Sequence, residues 1–371
     1  MSDLIDDNFI IPALSSIAGI TTPLSGQTYR NAPDIDISCY DVIIICLSGG
    51  KDSIACLLHL IDIGVDLSRV ELWHHDVDGR EGSTLMDWPF MADYNRKIAS
   101  TFQIPLMFSW LQGGMEGEML KENGYSRPQC IETPDGLIIA ERDIQRSTPA
   151  TRLRFPQQSP SLKTRWCSSA LKIDVGRRAL TNQRRFDGKK VLFITGERRA
   201  ESSNRFNYLQ LEPHTSSCKK RQVDAWRPVL EWSEEQVWEI LAKHRVTAPV
   251  PYRLGWGRSS CLTCIYNSAR IWATIKHYFP ERIHAMANYE NRFGVTISRK
   301  RINVLDLSQN ISPINITDEE ALLQAVNPVY TLPVINMSKE WVLPGGQGES
   351  VNILLNFTQF FETRIEYRFQ I

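Results

Sequence analysis

The sequence predicts an α/β fold: a parallel sheet with helices on both faces, followed by a smaller C-terminal region. Three observations carry this. Residues 42–47, after Asp41, are a continuous apolar run of β-formers, the pattern of a strand buried on both faces. The run breaks into Ser48-Gly49-Gly50-Lys51-Asp52-Ser53 and then into apolar helical text. Two further strand-like runs, 70–75 and 104–110, flank a helical stretch over 89–101 in which Phe90, Tyr94 and Ile98 share one face. The order β-α-β-α-β is the first half of a doubly wound sheet.

Residues 1–40 are mixed and carry Pro12, Pro23 and Pro33; they read as an extension of a short helix or two and a loop, without chemistry. The strand at 70–75 ends in Asp76, Asp78 and Glu81, acids at the carboxyl end of a parallel strand, where such sheets bind ligands. Asp76 could accept from a ribose hydroxyl or the adenine amine, or serve a turn. His74 and His75 read as packed residues. Residues 111–160 lose the periodicity: Gly113-Gly114, Gly117, Gly124, Pro128, Pro134 and Gly136 are turn signals, and the stretch reads as an insertion or lid. A strand at 190–195 ends in Gly196 and the charges of 197–205. Ser233 with Gln236 fits a capping box opening a helix. Residues 300–371 read as loops with a small β element. The expected domains are an extension (1–40), a nucleotide-binding domain (41–245) and a C-terminal region (246–371).

The chain has 371 residues, 42% hydrophobic and 23% charged, with a formal net charge of zero. That composition is globular and does not announce a nucleic acid partner through global charge. No apolar run approaches the length of a membrane span, and the acidic start lacks the basic region of a signal peptide, so a cytoplasmic location is expected. Eight scattered cysteines in a reducing compartment read as thiols or metal ligands rather than a disulfide framework.

The 48–53 segment sits at a strand-to-helix turn, where free N–H groups and the helix dipole favour a phosphate. Its glycines allow close approach and positive φ, Lys51 adds a mobile cation, and the serines add hydroxyl donors. The spacing is not the Walker pattern. Arg198 and Arg205 suit a polyphosphate because a guanidinium fork binds two oxygens. Basic clusters at Arg177-Arg178, Arg184-Arg185, Lys189-Lys190 and 219–221 could track a phosphate backbone or form a solvated face, so weak DNA affinity is expected of the isolated chain. Cys261 and Cys264 form a Cys-x-x-Cys pair, readable as a metal half-site or as two thiols at the start of a helix.

Four ordered motifs resemble one family. Ser48–Ser53 is similar to the PP-loop, the pyrophosphate-binding SGGxDS signature of the ATP pyrophosphatase superfamily. Arg165-Trp166-Cys167 with Lys172 resembles an RWCxxxxK segment; 196–205 resembles G-x-R-x-x-E-S-x-x-R; 227–238 resembles the P-L-x-x-W stretch with its following helix. Together they resemble the phosphoadenosine-phosphosulfate reductase family, and within it the DndC/SspD group of ATP pyrophosphatases of bacterial DNA phosphorothioate modification. The ECGxH segment of true reductases is absent.

The resemblance implies that ATP is cleaved to AMP and pyrophosphate with Mg²⁺, activating the DNA backbone for sulfur. Lys51, Asp52, Lys172 and Arg198 would be catalytic. Ser48, Gly49, Gly50, Lys51, Asp52, Ser53, Asp76, Gly196, Glu201 and Arg205 would bind the nucleotide. With Cys167 and either Cys218 or Cys130, the Cys261/Cys264 pair could supply four thiolates for an iron–sulfur cluster or zinc, although the second Cys-x-x-Cys of the cluster-bearing relatives is absent. The implied partners are a cysteine desulfurase, sister modification proteins, DNA and a second copy of the chain. Another adenylating or sulfur-transfer activity, on tRNA or a sulfonucleotide, and a non-catalytic nucleotide-binding scaffold are the alternatives.

Overall fold

The computed structural model describes residues 22–338 and 340–344. Eight strands form one sheet: β1 (Val42–Cys46), β2 (Val70–Asp76), β3 (Leu106–Leu111), β4 (Gln129–Thr133), β5 (Gly136–Ala140), β6 (Lys190–Ile194), β7 (Leu211–Pro213) and β8 (Gln222–Trp226). Their order is β5-β4-β3-β2-β1-β6-β8-β7. The central five, β3-β2-β1-β6-β8, are parallel. The hairpin β4–β5 extends one side antiparallel, and β7 closes the other. The sheet is therefore mostly parallel, as the apolar runs predict.

β1 sits at the centre because Ile43, Ile44 and Ile45 find apolar cover on both faces. Ile43 and Ile45 belong to the main core with α1 (Lys51–Asp62) and α2 (Met91–Thr101). Ile44 joins Trp73, Phe193, Ala179 and Leu180 on the other face. Successive strand residues point to opposite faces, so this split puts helices on both sides of the sheet.

The stretch rich in turn signals holds regular structure as well as loop. After β3 comes α3 (Gly114–Met119), then the β4–β5 hairpin. Gly136, at φ +124°, turns the hairpin. The loop beyond β5 is anchored: Phe155 is buried against Phe293, and the amides of Gln157 and Gln158 donate to the carbonyls of Thr296 and Ile265. It leads into α4 (Trp166–Ser168), a π-turn (Ser169–Ile173) and α5 (Asp174–Thr181).

α6 (Ser203–Phe206) follows β6, and α7 (Glu234–Lys243) opens on the predicted Ser233/Gln236 capping box, which is present in both directions. The remaining helices are α8 (Val250–Arg253), α9 (Ala269–Tyr278), α10 (Pro280–Phe293), α11 (Val304–Leu307) and α12 (Glu319–Val326). In the described part of the tail, 300–344, the structure has two helices and one isolated bridge, Val246 to Ile335, where loops and a small β element were expected. The reason is local: Asp318 caps the Ala321 N–H, and Glu319 and Glu320 fill the first turn of α12. Arg253 then binds Asp318 and Glu320, fastening α8 to α12. Tyr330 packs on Tyr94 of α2 at 4.6 Å between ring centroids. Residues 1–21 and 345–371 lie outside the described residues. Among the described residues no helix is long and apolar enough to cross a membrane.

Candidate functional site

In a doubly wound sheet, ligands bind at the carboxyl edge where the strand order reverses. Here that point lies between β1 and β6. The 48–53 segment leaves β1 there, and 196–205 leaves β6 beside it.

Gly49 has φ +75°, and an added Cβ would run into the Met91 sulfur and the Asn95 side chain. The turn thus needs glycine both for its backbone and for space. The Ser53 hydroxyl donates to the Gly50 carbonyl at 2.9 Å and accepts from the Ser48 N–H at 3.2 Å, closing the loop on itself. No side chain caps the N-terminus of α1. Its first N–H groups therefore have no helical carbonyl partner and face the crevice. Ser48 is exposed, and the buried Ser259 hydroxyl, close over Gly50, has no hydrogen-bond partner. The Ser48 hydroxyl donates to Ser53 Oγ at 3.2 Å within the loop, so the Ser259 hydroxyl and the first N–H groups of α1 are the donors left to form an oxyanion cradle. Gly196 completes it: an added Cβ would lie 2.8 Å from the Asp52 carbonyl, so only glycine lets the β6 loop approach the first turn of α1.

The charged residues of the turn are placed differently from the sequence expectation. Lys51 is not a mobile cation. It is buried, with its ammonium over the Tyr252 and Trp238 rings at 5.1 and 5.7 Å and paired with Asp52 and Glu234 at 3.3 and 3.4 Å. Burial lowers its pKa, but Tyr252, Asp52 and Glu234 outweigh that and leave it raised. Asp52 is not an open metal ligand, because Arg198 Nε lies 2.5 Å from one of its oxygens. Arg198 is buried in this pair. Together the three charges brace α1 against the β6 loop and α7. Glu201 and Arg205 likewise pair with each other, and Glu201 accepts from the Arg198 N–H at 2.9 Å. Asp52 is engaged by Arg198, and among the described residues no group of three or more metal-binding side chains is gathered.

At the end of β2, Asp76 lies at the mouth, 3.8 Å from Arg80. Burial pushes its carboxyl up to about 6, against the pull of Arg80. Asp78 accepts the N–H groups of Met86 and Asp87 and is pushed by burial up to about 7. His74 and His75 are internal, as expected: their Nδ1 atoms meet the Leu47 carbonyl and the Ser109 hydroxyl, both at 2.8 Å. Burial, with His74 and Lys172 nearby, holds His75 down to about 3, so it is neutral.

The π-turn turns Lys172 into the crevice. Lys172 keeps solvent access while the thiols of Cys261, Cys167 and Cys264 and the carboxylate of Asp87 surround it. Burial lowers its pKa, and Cys261, Cys167, Asp87 and Cys264 raise it on balance. Burial, then Asp87, raises the Cys261 thiol, with Lys172 pulling the other way. π-turns inside helices often mark functional positions. Three of the expected metal cysteines thus border one crevice. The fourth does not. Cys218 is exposed in the turn before β8, bridged to Arg221 at the opposite, amino edge of the sheet, and Cys130 is buried on β4 with Phe108 and Trp110. Among the described residues no four-thiolate centre forms: Cys218 lies at the far edge of the sheet, and Cys130 is packed with Phe108 and Trp110.

Tyr252, Trp238, Glu234, Ser259 and Asp87 escaped the sequence reading as site residues. Tyr252, Ser259 and Asp87 come from segments without a motif, and Glu234 and Trp238 lie in the helix of the 227–238 stretch, where the sequence reads only a capped helix. Only the Ser233 capping box, which fixes the start of α7 and hence Glu234 and Trp238, hinted at part of this wall.

Residues 141–267 match the family described as "Phosphoadenosine phosphosulfate reductase domain". That span includes the motifs at 165–172, 196–205 and 227–232 and the Cys261/Cys264 pair, while the 48–53 turn precedes it. An uncharacterized 37.8 kDa protein of Escherichia phage 186 is 26% identical over 284 residues, covering 72% of this chain and 80% of its own. An uncharacterized protein of Methanocaldococcus jannaschii is 27% identical over 135 residues, 36% of this chain and 31% of its own. Among solved structures, Candida glabrata FMN adenylyltransferase in complex with FAD and inorganic pyrophosphate is similar at 12% identity and a TM-score of 0.31, over 77% of this chain and 73% of that one. Over 141–267, then, the chain is similar to the phosphoadenosine phosphosulfate reductase family, on a sheet that carries a PP-loop at its switch point.

Proposed function

We propose that the chain is an ATP pyrophosphatase that adenylates an acceptor, and that the acceptor is a DNA backbone phosphate being prepared for sulfur. The observation that carries the reading is the uncapped N-terminus of α1, framed by Gly49 and Gly196 at the switch point. It can take the β- and γ-phosphates of ATP on backbone N–H groups. Lys51, Asp52 and Arg198 act as positioning residues: their mutual pairing holds the turn rigid rather than neutralising phosphate directly. Lys172 is the solvent-accessible cation of the crevice, suited to the charge that develops as pyrophosphate leaves. An acceptor oxygen attacks the α-phosphorus, the α–β bridge breaks, and pyrophosphate leaves with the electron pair. The outer sulfur of a persulfide delivered by a cysteine desulfurase would then attack the activated phosphorus as AMP leaves, and a thiol would release the phosphorothioate by forming a disulfide with the carrier cysteine. The thiols of Cys167, Cys261 and Cys264 around Lys172 support a sulfur-handling role. Mg²⁺ would be held by the nucleotide's own oxygens, and no step depends on it here.

The test is product analysis. The purified protein should release AMP and pyrophosphate from ATP. Lys172→Ala should lower kcat about a hundredfold, as removal of a preorganised charge does. Ser48→Ala/Asp52→Ala should abolish turnover. Release of ADP and phosphate, or full activity in Lys172→Ala, sinks the assignment.

A further inference from the structure

The carboxyl edge of the sheet continues past the nucleotide crevice onto the β4–β5 hairpin. Leu111, Gln129 and Ala140 lie side by side in the strand register, so the ends of β3 and β5 and the start of β4 share this edge. A small cavity of about 30 Å³ opens there, lined by Arg127, Gln129, Arg142, Ala170, Asp174 and Arg178, among others. Three guanidinium groups thus meet around one opening.

No carboxylate of the described residues pairs directly with them, although Asp174 in the same wall acts on Arg178 from a distance. Among the described residues none of Arg127, Arg142 and Arg178 has a carboxylate within ion-pair distance; the Asp174 carboxylate is instead paired with Arg177 at 3.6 Å. Arg178 donates to the carbonyls of Ala140 and Glu141, and its Nε is buried without a partner. Arg142 donates only to the Ser147 hydroxyl. The fold also makes room for the cluster. A Cβ on Gly113 or Gly117 would collide with the Arg127 guanidinium, so these two glycines open its position. Like charges are brought together at a cost, and burial with Arg142 and Arg177 nearby depresses the Arg178 pKa. The volume admits one or two oxygen atoms of an anion whose remainder stays in solvent.

We propose that Arg127, Arg142 and Arg178 form an oxyanion site that holds a phosphate group of the acceptor beside the nucleotide crevice. The assignment to the acceptor rests on the ATP reading above; the oxyanion site itself does not. Ala170 and Asp174 of its wall flank Lys172, and β3 is two strand spacings, about 10 Å, from β1. A phosphate here is thus a neighbour of the one to be activated. Of the basic clusters that the sequence offered, Arg177-Arg178 contributes Arg178 to this site, and the others lie elsewhere. Lys189 and Lys190 start β6, and Lys220 bonds Gly188 at the amino edge; Arg185 is taken by Glu71 at the start of β2. They cannot serve an acceptor at the carboxyl edge.

The experiment measures anisotropy of a labelled single-stranded or duplex DNA oligonucleotide, and calorimetry with inorganic phosphate, on the full chain. Arg127→Gln/Arg142→Gln is compared with Lys219→Ala/Lys220→Ala/Arg221→Ala; both Gln positions are exposed, and a parental thermal midpoint confirms folding. Arg178→Lys, which keeps the charge, is the milder second variant. Oligonucleotide affinity should fall at least about tenfold in the Gln variant and hold in the amino-edge variant. The salt slope of the Gln variant should be shallower by about 0.9 for each backbone phosphate it no longer neutralises. That result assigns a nucleic acid backbone. Arginine-dependent phosphate binding with no added affinity for the oligonucleotide supports the site with a small phosphorylated acceptor instead. Unchanged binding of both probes in the Gln variant, or a loss confined to the 219–221 variant, overturns the proposal. ATP cleavage is assayed without acceptor, so its absence would defeat the nucleotide reading while arginine-dependent binding stood.

Discussion

Asp76 shows how one residue at the mouth of a strand edge becomes a pH-sensitive group. Its carboxyl sits at about 6 because burial costs the charged form more than Arg80 returns. The folded pKa lies above the unfolded one, so protonation stabilises the fold. That contribution is complete below about pH 4 and is lost as pH rises through about 6. Asp76→Asn removes this dependence. Its stability relative to the parent should therefore climb between pH 4 and 6 by on the order of 2–3 kcal/mol and level off above, read by urea unfolding at several pH values. A parallel pair of curves would show that Asp76 is not held in its neutral form. Lys172 makes the opposite case: the neighbouring thiols and Asp87 leave its pKa raised. A crevice that keeps a cation charged and a carboxyl near neutrality suits the handling of phosphates.

At the scale of the element, the turn from β1 into α1 is built from the glycine φ, the serine closure and the missing cap. Gly49→Ala forces a left-handed residue with a side chain into the Met91 sulfur. It should cost about 1–3 kcal/mol of stability, seen as a lower thermal midpoint, and should abolish ATP binding by moving the first N–H groups of α1. Retained nucleotide affinity in a folded Gly49→Ala protein would mean that the cradle lies elsewhere. The π-turn is the second such element. One extra residue within Ser169–Ile173 rotates Lys172 relative to a regular helix, so the lysine of the RWCxxxxK motif lies beside the thiols while keeping solvent access.

Across the whole molecule, the C-terminal segments complete the wall over the PP-loop. Tyr252 and Trp238 cover Lys51, Ser259 overlies Gly50, and Tyr330 locks onto α2. One buried cluster runs from Ala32 to Val334. Arg253 is the fastener between α8 and α12, and its carboxylate partners are only partly buried. Arg253→Ala should cost about 1–3 kcal/mol, and hydrogen exchange should rise first in α12. Uniform exchange across the chain would show that α12 does not open by itself.

What the sequence determined alone is what depends on neighbours along the chain. The β1 run, the Ser48–Ser53 turn, the strand at 190–194 and the Ser233 cap are read from apolar periodicity and local hydrogen-bonding chemistry, and those act over a few residues. The hairpin inside 111–160 was obscured because β4 and β5 are short and rest on pairing with β3, a tertiary partner. The helices after 300 were hidden behind proline punctuation, although Asp318 carried a capping signal. Only the tertiary structure decided which charges meet. It spent Lys51, Asp52, Glu201 and Arg205 on pairing, left Lys172 accessible, sent Cys218 to the far edge and gathered three arginines at the near one. Charge pairing is set by distance in space. Residues such as Asp52 and Arg198, 146 apart in the chain, show nothing of it in their local sequence.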